Sequence, residues 1–116
     1  MGIPTLYAVG PTSGTYTANP AASEIIAYSY GGGPSGGFGA YKINITQPYS
    51  QPYSVGGSGS PTTLGPGGSV ITTNGGPSGT APGATFTYPT RAFVVGASFG
   101  SSPDSGALVI FENIGT

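Results

Sequence analysis

Residues 41–46, Tyr41-Lys-Ile-Asn-Ile-Thr46, alternate apolar and polar side chains from end to end. In an extended strand successive side chains point to opposite faces, so the tyrosine and the two isoleucines share one face and the three polar residues share the other. This pattern predicts a β-strand with one buried face and one face in water, and it is the clearest register in the chain.

The rest of the chain repeats this type of element. Short runs of β-branched and aromatic residues alternate with clusters of Gly, Pro, Ser and Asn, and Gly or Pro interrupts every stretch long enough for a helix. We predict one all-β domain over residues 1–116, an antiparallel β-sandwich or jelly-roll-like barrel with long Gly/Pro-rich loops. Residues 1–10 are predicted to form an extended N-terminal arm. The predicted strands are 5–9, 14–18, 24–30, 38–46, 52–55, 69–73, 84–88, 91–97 and 107–113.

Two stretches are continuously apolar rather than alternating. They are Ala107-Leu-Val-Ile-Phe111 and Phe93-Val-Val95. Continuous apolar strands are typical of positions with both faces covered, so both are predicted to lie in mid-sheet. Pro52, which has no N–H for a ladder, is predicted at a sheet edge or strand start.

The charge inventory excludes several classes of function. The 116 residues include two basic and three acidic side chains, no histidine and no cysteine. Two basic residues make no nucleic-acid footprint, and no apolar run is long enough to span a membrane. Without thiols or imidazoles, we expect no enzyme activity, no catalytic residues, no metal site and no cofactor. The charged residues are Glu24, Lys42, Arg91, Asp104 and Glu112.

Two glycine motifs match catalytic signatures only in form. Residues 31–36 fit G-x-G-x-x-G, but a dinucleotide site needs a helix that begins in the glycines. Residues 96–100 fit G-x-S-x-G, but a nucleophilic serine needs a base, normally histidine. The first motif is interpreted as a loop and the second as a turn after strand 91–97.

The composition also favours association. Gly contributes 23 residues and Pro 12, and the net charge is −1. Because glycine loses the most backbone freedom on folding and large apolar residues are few, an isolated copy gains little stability from its own core. A net charge near zero favours contact between copies. We therefore expect a homo-oligomer, for example a trimer.

Tyrosine is the commonest aromatic residue, with 8 copies. Its rigid, amphipathic ring suits both protein interfaces and sugar-facing surfaces, as well as core packing. Residues 47–50 (Gln-Pro-Tyr-Ser) repeat as 51–54, a segment predicted to be extended and near polyproline II. A second string, Gly-Gly-Pro-Ser-Gly, occurs at 32–36 and again at 75–79. The candidate partner-contact residues are Pro48, Tyr49, Pro52, Tyr53, Tyr7 and Tyr30.

Several segments, read in order, match a known pattern. They are Thr15-Tyr-Thr-Ala-Asn-Pro20, then an aliphatic strand entering a glycine tract at 24–33, Tyr53-Ser-Val-Gly-Gly57, glycine-rich turns around a strand at 65–76, and Gly106-Ala-Leu-Val-Ile-Phe-Glu112. This order resembles the glycine-rich domain of tailed-bacteriophage virion proteins, of the tail-fibre, tail-tip or capsid decoration type.

The resemblance implies a structural protein on the surface of a virion, made in the host cytoplasm. It implies a capsid decoration (cement) subunit, or alternatively a tail-fibre or tail-tip subunit that binds a host receptor or glycan. The expected partners are other copies of the chain and virion proteins such as the major capsid protein, with host surface glycan in the adhesin alternative. The resemblance transfers no catalytic residues.

Overall fold

The computed structural model describes residues 5–32, 36–75, 84–86, 90–99 and 105–114. Most of these residues lie in strands, and Pro66–Gly68 forms one 3-10 turn. The strands are β1 (Leu6–Val9), β2 (Thr12–Thr17), β3 (Ala22–Tyr30), β4 (Gly36–Asn44), β5 (Ser50–Val55), β6 (Thr62–Leu64), β7 (Ile71–Thr73), β8 (Ala84–Phe86), β9 (Thr90–Phe99) and β10 (Ala107–Ile114).

The described strands form two antiparallel five-stranded sheets packed face to face, which confirms the predicted β-sandwich. The first sheet has the order β1-β10-β3-β4-β9, and the second has the order β2-β5-β6-β7-β8. The chain changes sheets after β1, β2, β4 and β8. Strands β5 to β8 follow one another as a meander, each paired with the next. The sheets are separate layers, so the sandwich form applies and the barrel form does not.

The core lies between the two sheets, and alternate residues of each strand point into it. Tyr41 and Ile43 are buried and Lys42 and Asn44 are exposed, as the alternation in 41–46 predicts. The core residues are Ala8, Tyr16, Ala18, Ala22, Ile25, Ala27, Tyr41, Ile43, Val55, Leu64, Ile71, Leu108 and Ile110.

Of the two continuous apolar runs, 107–111 lies in mid-sheet as predicted and 93–95 does not. β10 does lie between β1 and β3, but only alternate residues face the core, and Val109 and Phe111 are half-buried on the opposite face. β9, which contains 93–95, lies at the edge of the first sheet instead of its middle. Apolar character on both faces of a strand indicates that both faces are to be covered, but it does not specify that the cover comes from the same chain.

The proline-rich segment joins the second sheet instead of standing apart. Residues 50–55 form β5, between β2 and β6, so the predicted polyproline segment is largely a strand. Pro52 lies inside this strand, where β6 has already ended, and its carbonyl accepts a hydrogen bond from Gly65 N–H at 2.8 Å. A missing N–H is tolerated there because no β6 residue is opposite. Of the predicted N-terminal arm, residues 6–9 are β1, paired with β10, and residues 1–4 lie outside the described residues.

One end of the sandwich is closed by backbone instead of side chains. Gly31 N–H donates to Gly37, Gly32 N–H donates to Ser60, and Gly106 N–H donates to Gly56. A Cβ atom built at Gly32 or Gly106 overlaps a carbonyl oxygen of the facing loop. These close approaches require glycine, so the loops pack backbone against backbone.

The same end brings together the starts of the two Gly-Gly-Pro-Ser-Gly strings. Gly37 N–H donates to the Asn74 carbonyl at 2.9 Å, and a Cβ at Gly31 meets the backbone of Asn74 and Gly75. Each string follows a strand, and the two strands end side by side in opposite sheets. The described residues that follow these two strands therefore connect the two layers at this point.

Candidate interaction surface

The first sheet presents apolar and aromatic side chains on the face turned away from the core. Outward positions of its strands are paired in rows: Tyr7 is opposite Val109, Val109 is opposite Tyr28, and Tyr28 is opposite Ala40. We call this surface the outer aromatic face. It consists of Tyr7, Val9, Ile26, Tyr28, Tyr30, Phe38, Ala40, Ala107, Val109 and Phe111.

The aromatic rings of this face contact one another. Tyr28 and Phe111 meet edge to face with ring centroids 5.9 Å apart. Tyr30 and Phe38, which are directly opposite on β3 and β4, stack at 6.4 Å. These separations are typical of favourable aromatic pairs. The rings are therefore held in place by contacts within the chain.

The face is partly open to water. Tyr7 is 70% exposed and Val9 is 54% exposed, the largest values among its members. Ile26 is 8% exposed because its neighbours on β10 and β4 cover it. All described strands belong to the two sheets, so no third layer of described strands lies over the face. Contiguous apolar surface of this kind is typical of a protein contact.

One corner of the face is polar. Glu24 is opposite Asn113 on one side and Asn44 on the other, and Asn113 Nδ2 donates to Glu24 Oε1 at 2.8 Å. Lys42 is exposed one row further in, opposite Arg91 of β9. Charges of both signs therefore lie at the same end of an otherwise apolar surface.

The outer face of the second sheet has a different character. Its five strands contain no charged residue. One row of hydroxyl-bearing residues crosses the whole sheet, through Ser13, Ser54, Thr63, Thr72 and Thr85. The sandwich therefore has one aromatic side and one uncharged hydroxyl side.

The predicted contact residues separate into two groups. Tyr7 and Tyr30 lie on the outer aromatic face. Tyr49 and Tyr53 instead pack against the core, although Tyr53 is half-exposed and lies against Gly14. Pro52 is exposed on the second sheet, and Pro48 is exposed in the loop before β5.

The sequence prediction missed most members of the outer aromatic face. Tyr28, Phe38, Val109 and Phe111 were assigned to strands but not to a surface. The sequence does carry one signal: in β3 and β10, both the odd-numbered and the even-numbered residues are largely apolar. One set of alternate residues packs in the core, and the other set points to the opposite side of the sheet and forms this face.

Glu112 joins the two sheets away from the outer aromatic face. Tyr16 of β2 donates its hydroxyl to Glu112 Oε2 at 2.5 Å, and Asn19 N–H donates to the same oxygen at 3.0 Å. Burial, with the Glu112 carboxylate beside it, raises the pKa of Tyr16 well above its usual value. The two hydrogen bonds make Glu112 a structural link between the sheets.

Two further tyrosines have raised pKa values. Burial raises the pKa of Tyr49, whose hydroxyl is enclosed and has no hydrogen-bond partner among the described residues. Burial also raises the pKa of Tyr41, whose hydroxyl lies 3.5 Å from Thr73 Oγ1. All three hydroxyls are thus favoured in the neutral form.

The described residues of the two glycine motifs, 31–36 and 96–100, have structural positions in the fold. Gly31 and Gly32 belong to the backbone-packed end of the sandwich. Residues 96–99, predicted to begin a turn, continue strand β9. Among the described residues no group of three His, Cys, Asp or Glu side chains lies close enough to hold a metal ion. No helix in the described residues is long and apolar enough to cross a membrane.

Searches for related proteins gave no match among protein-family models, among curated proteins or among solved structures.

Proposed function

We propose that the chain is a non-enzymatic structural protein of a phage virion surface, a capsid decoration (cement) subunit. The sequence resemblance supports a location on a phage particle. The outer aromatic face supports attachment to that particle by protein contact. That face is a wide, largely uncharged sheet surface with preformed ring contacts, and such surfaces act by binding protein.

The contrast between the two sides of the sandwich supports a subunit with an attached side and an outward side. Free energy falls when a virion protein, such as the major capsid protein, covers the aromatic side, because apolar area is removed from water. The hydroxyl side has no charged residue on its strands and carries mainly hydroxyl groups, with the exposed Pro52 among them. A decoration subunit needs this division because it binds the particle through one surface only.

The described carboxylates also support a structural role. Glu112 accepts hydrogen bonds from Tyr16 and Asn19, and Glu24 accepts one from Asn113. Each carboxylate thus connects neighbouring elements of the fold.

The copy number in purified particles tests this proposal. We expect hundreds of copies per particle, measured by quantitative mass spectrometry against the major capsid protein. Replacing Val109 by Asp should release the subunit from particles, whereas Thr15→Asp, on the hydroxyl side, should leave it bound. Absence of the chain from particles, or turnover in a broad hydrolase assay, contradicts the proposal.

A tail-fibre or tail-tip adhesin is the second candidate, and the exposure of Tyr7 favours it. A tyrosine that is 70% exposed beside other aromatic rings can stack on a sugar ring of host surface glycan without any charge. This candidate predicts a few to a few dozen copies per particle. It also predicts that Tyr7→Ala abolishes binding to host cells while Tyr53→Ala, at a core-packed tyrosine, leaves binding intact in protein that is still folded.

A further inference from the structure

We infer that the free edge of the second sheet pairs with the same edge of a second copy of this chain, so that the two second sheets become one continuous sheet. The edge is strand β2, which stands last in its sheet and, among the described strands, pairs with β5 alone. An unpaired strand edge offers a row of backbone donors and acceptors to another strand. The pairing itself does not depend on the virion role.

The backbone groups of three β2 residues point to this free edge. Ala18 N–H donates to the Tyr49 carbonyl at 3.0 Å, in continuation of the register between β2 and β5. Opposite residues of an antiparallel pair alternate between hydrogen-bonded and unbonded. The β2 residues that are not bonded to β5, and whose N–H and C=O groups point outward instead, are therefore Ser13, Thr15 and Thr17.

The other side of β5 gives the same direction. Gly65 N–H donates to the Pro52 carbonyl at 2.8 Å, so the backbone of Pro52 bonds toward β6. The N–H and C=O of one strand residue point to the same side, and Pro52 is opposite Thr15. These two residues therefore do not bond each other, and the backbone groups of Thr15 are directed to the free edge.

Strand β2 differs from the other described strands at the ends of the two sheets. β1 has four residues and β8 has three, whereas β9 contains Arg91 and has an irregular register with β4. Short length, charge and bulges are features that block pairing between edges. β2 has six residues, keeps one register with β5 throughout, and contains neither a charge nor a proline.

The edge is complementary to itself. A two-fold axis through Thr15 sets Ser13 of each copy opposite Thr17 of the other, so all three outward residues form hydrogen-bonded pairs. An axis one residue earlier sets Thr17 against Pro11, which has no N–H. An axis one residue later sets Ser13 against Asn19, whose N–H is already bonded within the chain. Pairing of β2 with itself also closes the assembly at two copies, whereas pairing with a different edge continues into an open chain.

The side chains beside the axis also fit. Thr15 lies next to Thr15 of the second copy, and cross-strand threonine pairs are favourable. On the core side, Gly14 comes opposite Tyr16 of the second copy, which sets a small residue against a large one. Tyr53 lies over Gly14 and is half-exposed, so an added strand removes part of its ring from water. Each copy has a net charge of −1, so the copies repel one another only weakly.

The pairing keeps the two outer aromatic faces on one side of the dimer. The two-fold axis between antiparallel strands of one sheet is perpendicular to that sheet, so the first sheets of both copies lie on the same side of the joined sheet. Under the proposed function, both copies can then bind one particle surface, with both hydroxyl sides turned away from it.

Amide hydrogen exchange of the full chain, followed by NMR at low and high protein concentration, tests the inference. Sedimentation equilibrium identifies the concentration at which the mass reaches twice 11.3 kDa. There we expect the N–H groups of Ser13, Thr15 and Thr17 to exchange at least about tenfold more slowly than in the monomer. The N–H groups of Gly14 and Tyr16, which bond to β5, are the internal control and should be protected at both concentrations.

Substitutions at Thr15 test the axis. Thr15→Pro removes one outward N–H from each copy but none that bonds to β5, and it should weaken the dimer about thirtyfold. Thr15→Val keeps the N–H and is the matched control, with a change of less than about threefold. Thr15→Asp sets two carboxylates opposite each other and should weaken the dimer about tenfold. It replaces the proline variant if circular dichroism shows that variant to be unfolded.

Four results overturn the inference: a mass of 11.3 kDa at every concentration, a trimeric mass, outward N–H groups that exchange equally fast in monomer and dimer, or folded Thr15 variants that all dimerise as tightly as the native chain. These outcomes are distinct from failure of the proposed function. A monomer present in hundreds of copies on particles refutes only the pairing. A dimer that is absent from particles refutes only the virion role.

Discussion

The hydroxyl of Tyr16 donates a 2.5 Å hydrogen bond to the carboxylate of Glu112, and this bond joins the second sheet to the first. The two residues are 96 positions apart in the chain. A hydrogen bond to an ionised acceptor is stronger than one between neutral groups.

Tyr16→Phe should therefore lower the free energy of unfolding by about 2 kcal/mol, because the partly buried carboxylate loses one of its donors. Urea denaturation measures the effect. Tyr7→Phe, which removes an exposed hydroxyl, is the control and should change stability by less than about 0.5 kcal/mol. Equal losses in the two variants would show that the Tyr16 hydroxyl has no special role.

Alkaline pH should destabilise the protein through its buried tyrosines. The pKa values of Tyr16, Tyr41 and Tyr49 are raised in the folded state, whereas tyrosine in the unfolded chain titrates near pH 10. Between the two values the native state binds more protons than the unfolded state. The corresponding stability is thus fully present below about pH 10 and is lost as pH rises above it.

The ultraviolet absorbance of tyrosinate and denaturation curves taken above and below pH 10 check this expectation. We expect Tyr16, Tyr41 and Tyr49 to ionise only when the protein unfolds. The loss of stability with pH should be smaller in Tyr16→Phe. Ionisation of all tyrosines in one step near pH 10, without unfolding, contradicts the prediction.

A single methyl group added at the backbone-packed end of the sandwich should lower the free energy of unfolding. Gly106→Ala places a Cβ against the carbonyl of Tyr30 and the hydroxyl of Thr62, and neither can move freely because Thr62 donates to Tyr30. We expect a loss of about 2–3 kcal/mol in the free energy of unfolding, as for overpacked cores.

Gly57→Ala is the matched control for that change. Its Cβ lies 3.6 Å from the nearest atom of Pro11, an ordinary van der Waals contact. Thermal unfolding of the two variants should differ by several degrees. A Gly106→Ala protein as stable as Gly57→Ala would mean that the loops adjust without cost.

The two copies of Gln-Pro-Tyr-Ser should respond differently to the same substitution. Gln47 Nε2 donates to the carbonyls of Asn19 at 2.8 Å and Ala22 at 2.7 Å, and so connects the loop before β5 to the turn before β3. Gln51 lies in β5. Gln47→Ala should cost about 1–2 kcal/mol of unfolding free energy, since two carbonyls lose a donor.

Gln51→Ala should cost less than half as much. Chemical denaturation of both variants under identical conditions makes the comparison. A larger loss for Gln51→Ala would contradict the assignment of the bridging role to Gln47.

Much of the fold follows from local patterns in the sequence. The alternation around Tyr41 predicts its strand and its buried face, and turn residues bound most other strands. Strand β6 was missed because Thr62–Leu64 is only three residues long and has no visible alternation. The position of β9 at an edge depends on its pairing with β4 alone, which is a long-range choice that a local pattern does not encode.

The candidate surface was predictable only in part. Tyrosines at 7 and 30 were singled out as contact residues, but their neighbours on the face come from four strands that are distant in sequence. Tyr49 and Tyr53, in the repeated Gln-Pro-Tyr-Ser, are also predicted contact residues, yet both pack against the core. Which tyrosine is inside depends on register, and register was clear only for 41–46.

The absence of charge from the strands of the second sheet affects how many molecules can share a small area. Charged surfaces limit crowding because repulsion accumulates with each added copy and depends on the surrounding salt. A molecule with a net charge of −1 and a hydroxyl-covered side adds almost nothing to that repulsion. Copies can therefore lie close to one another with little electrostatic repulsion, in dilute or concentrated salt.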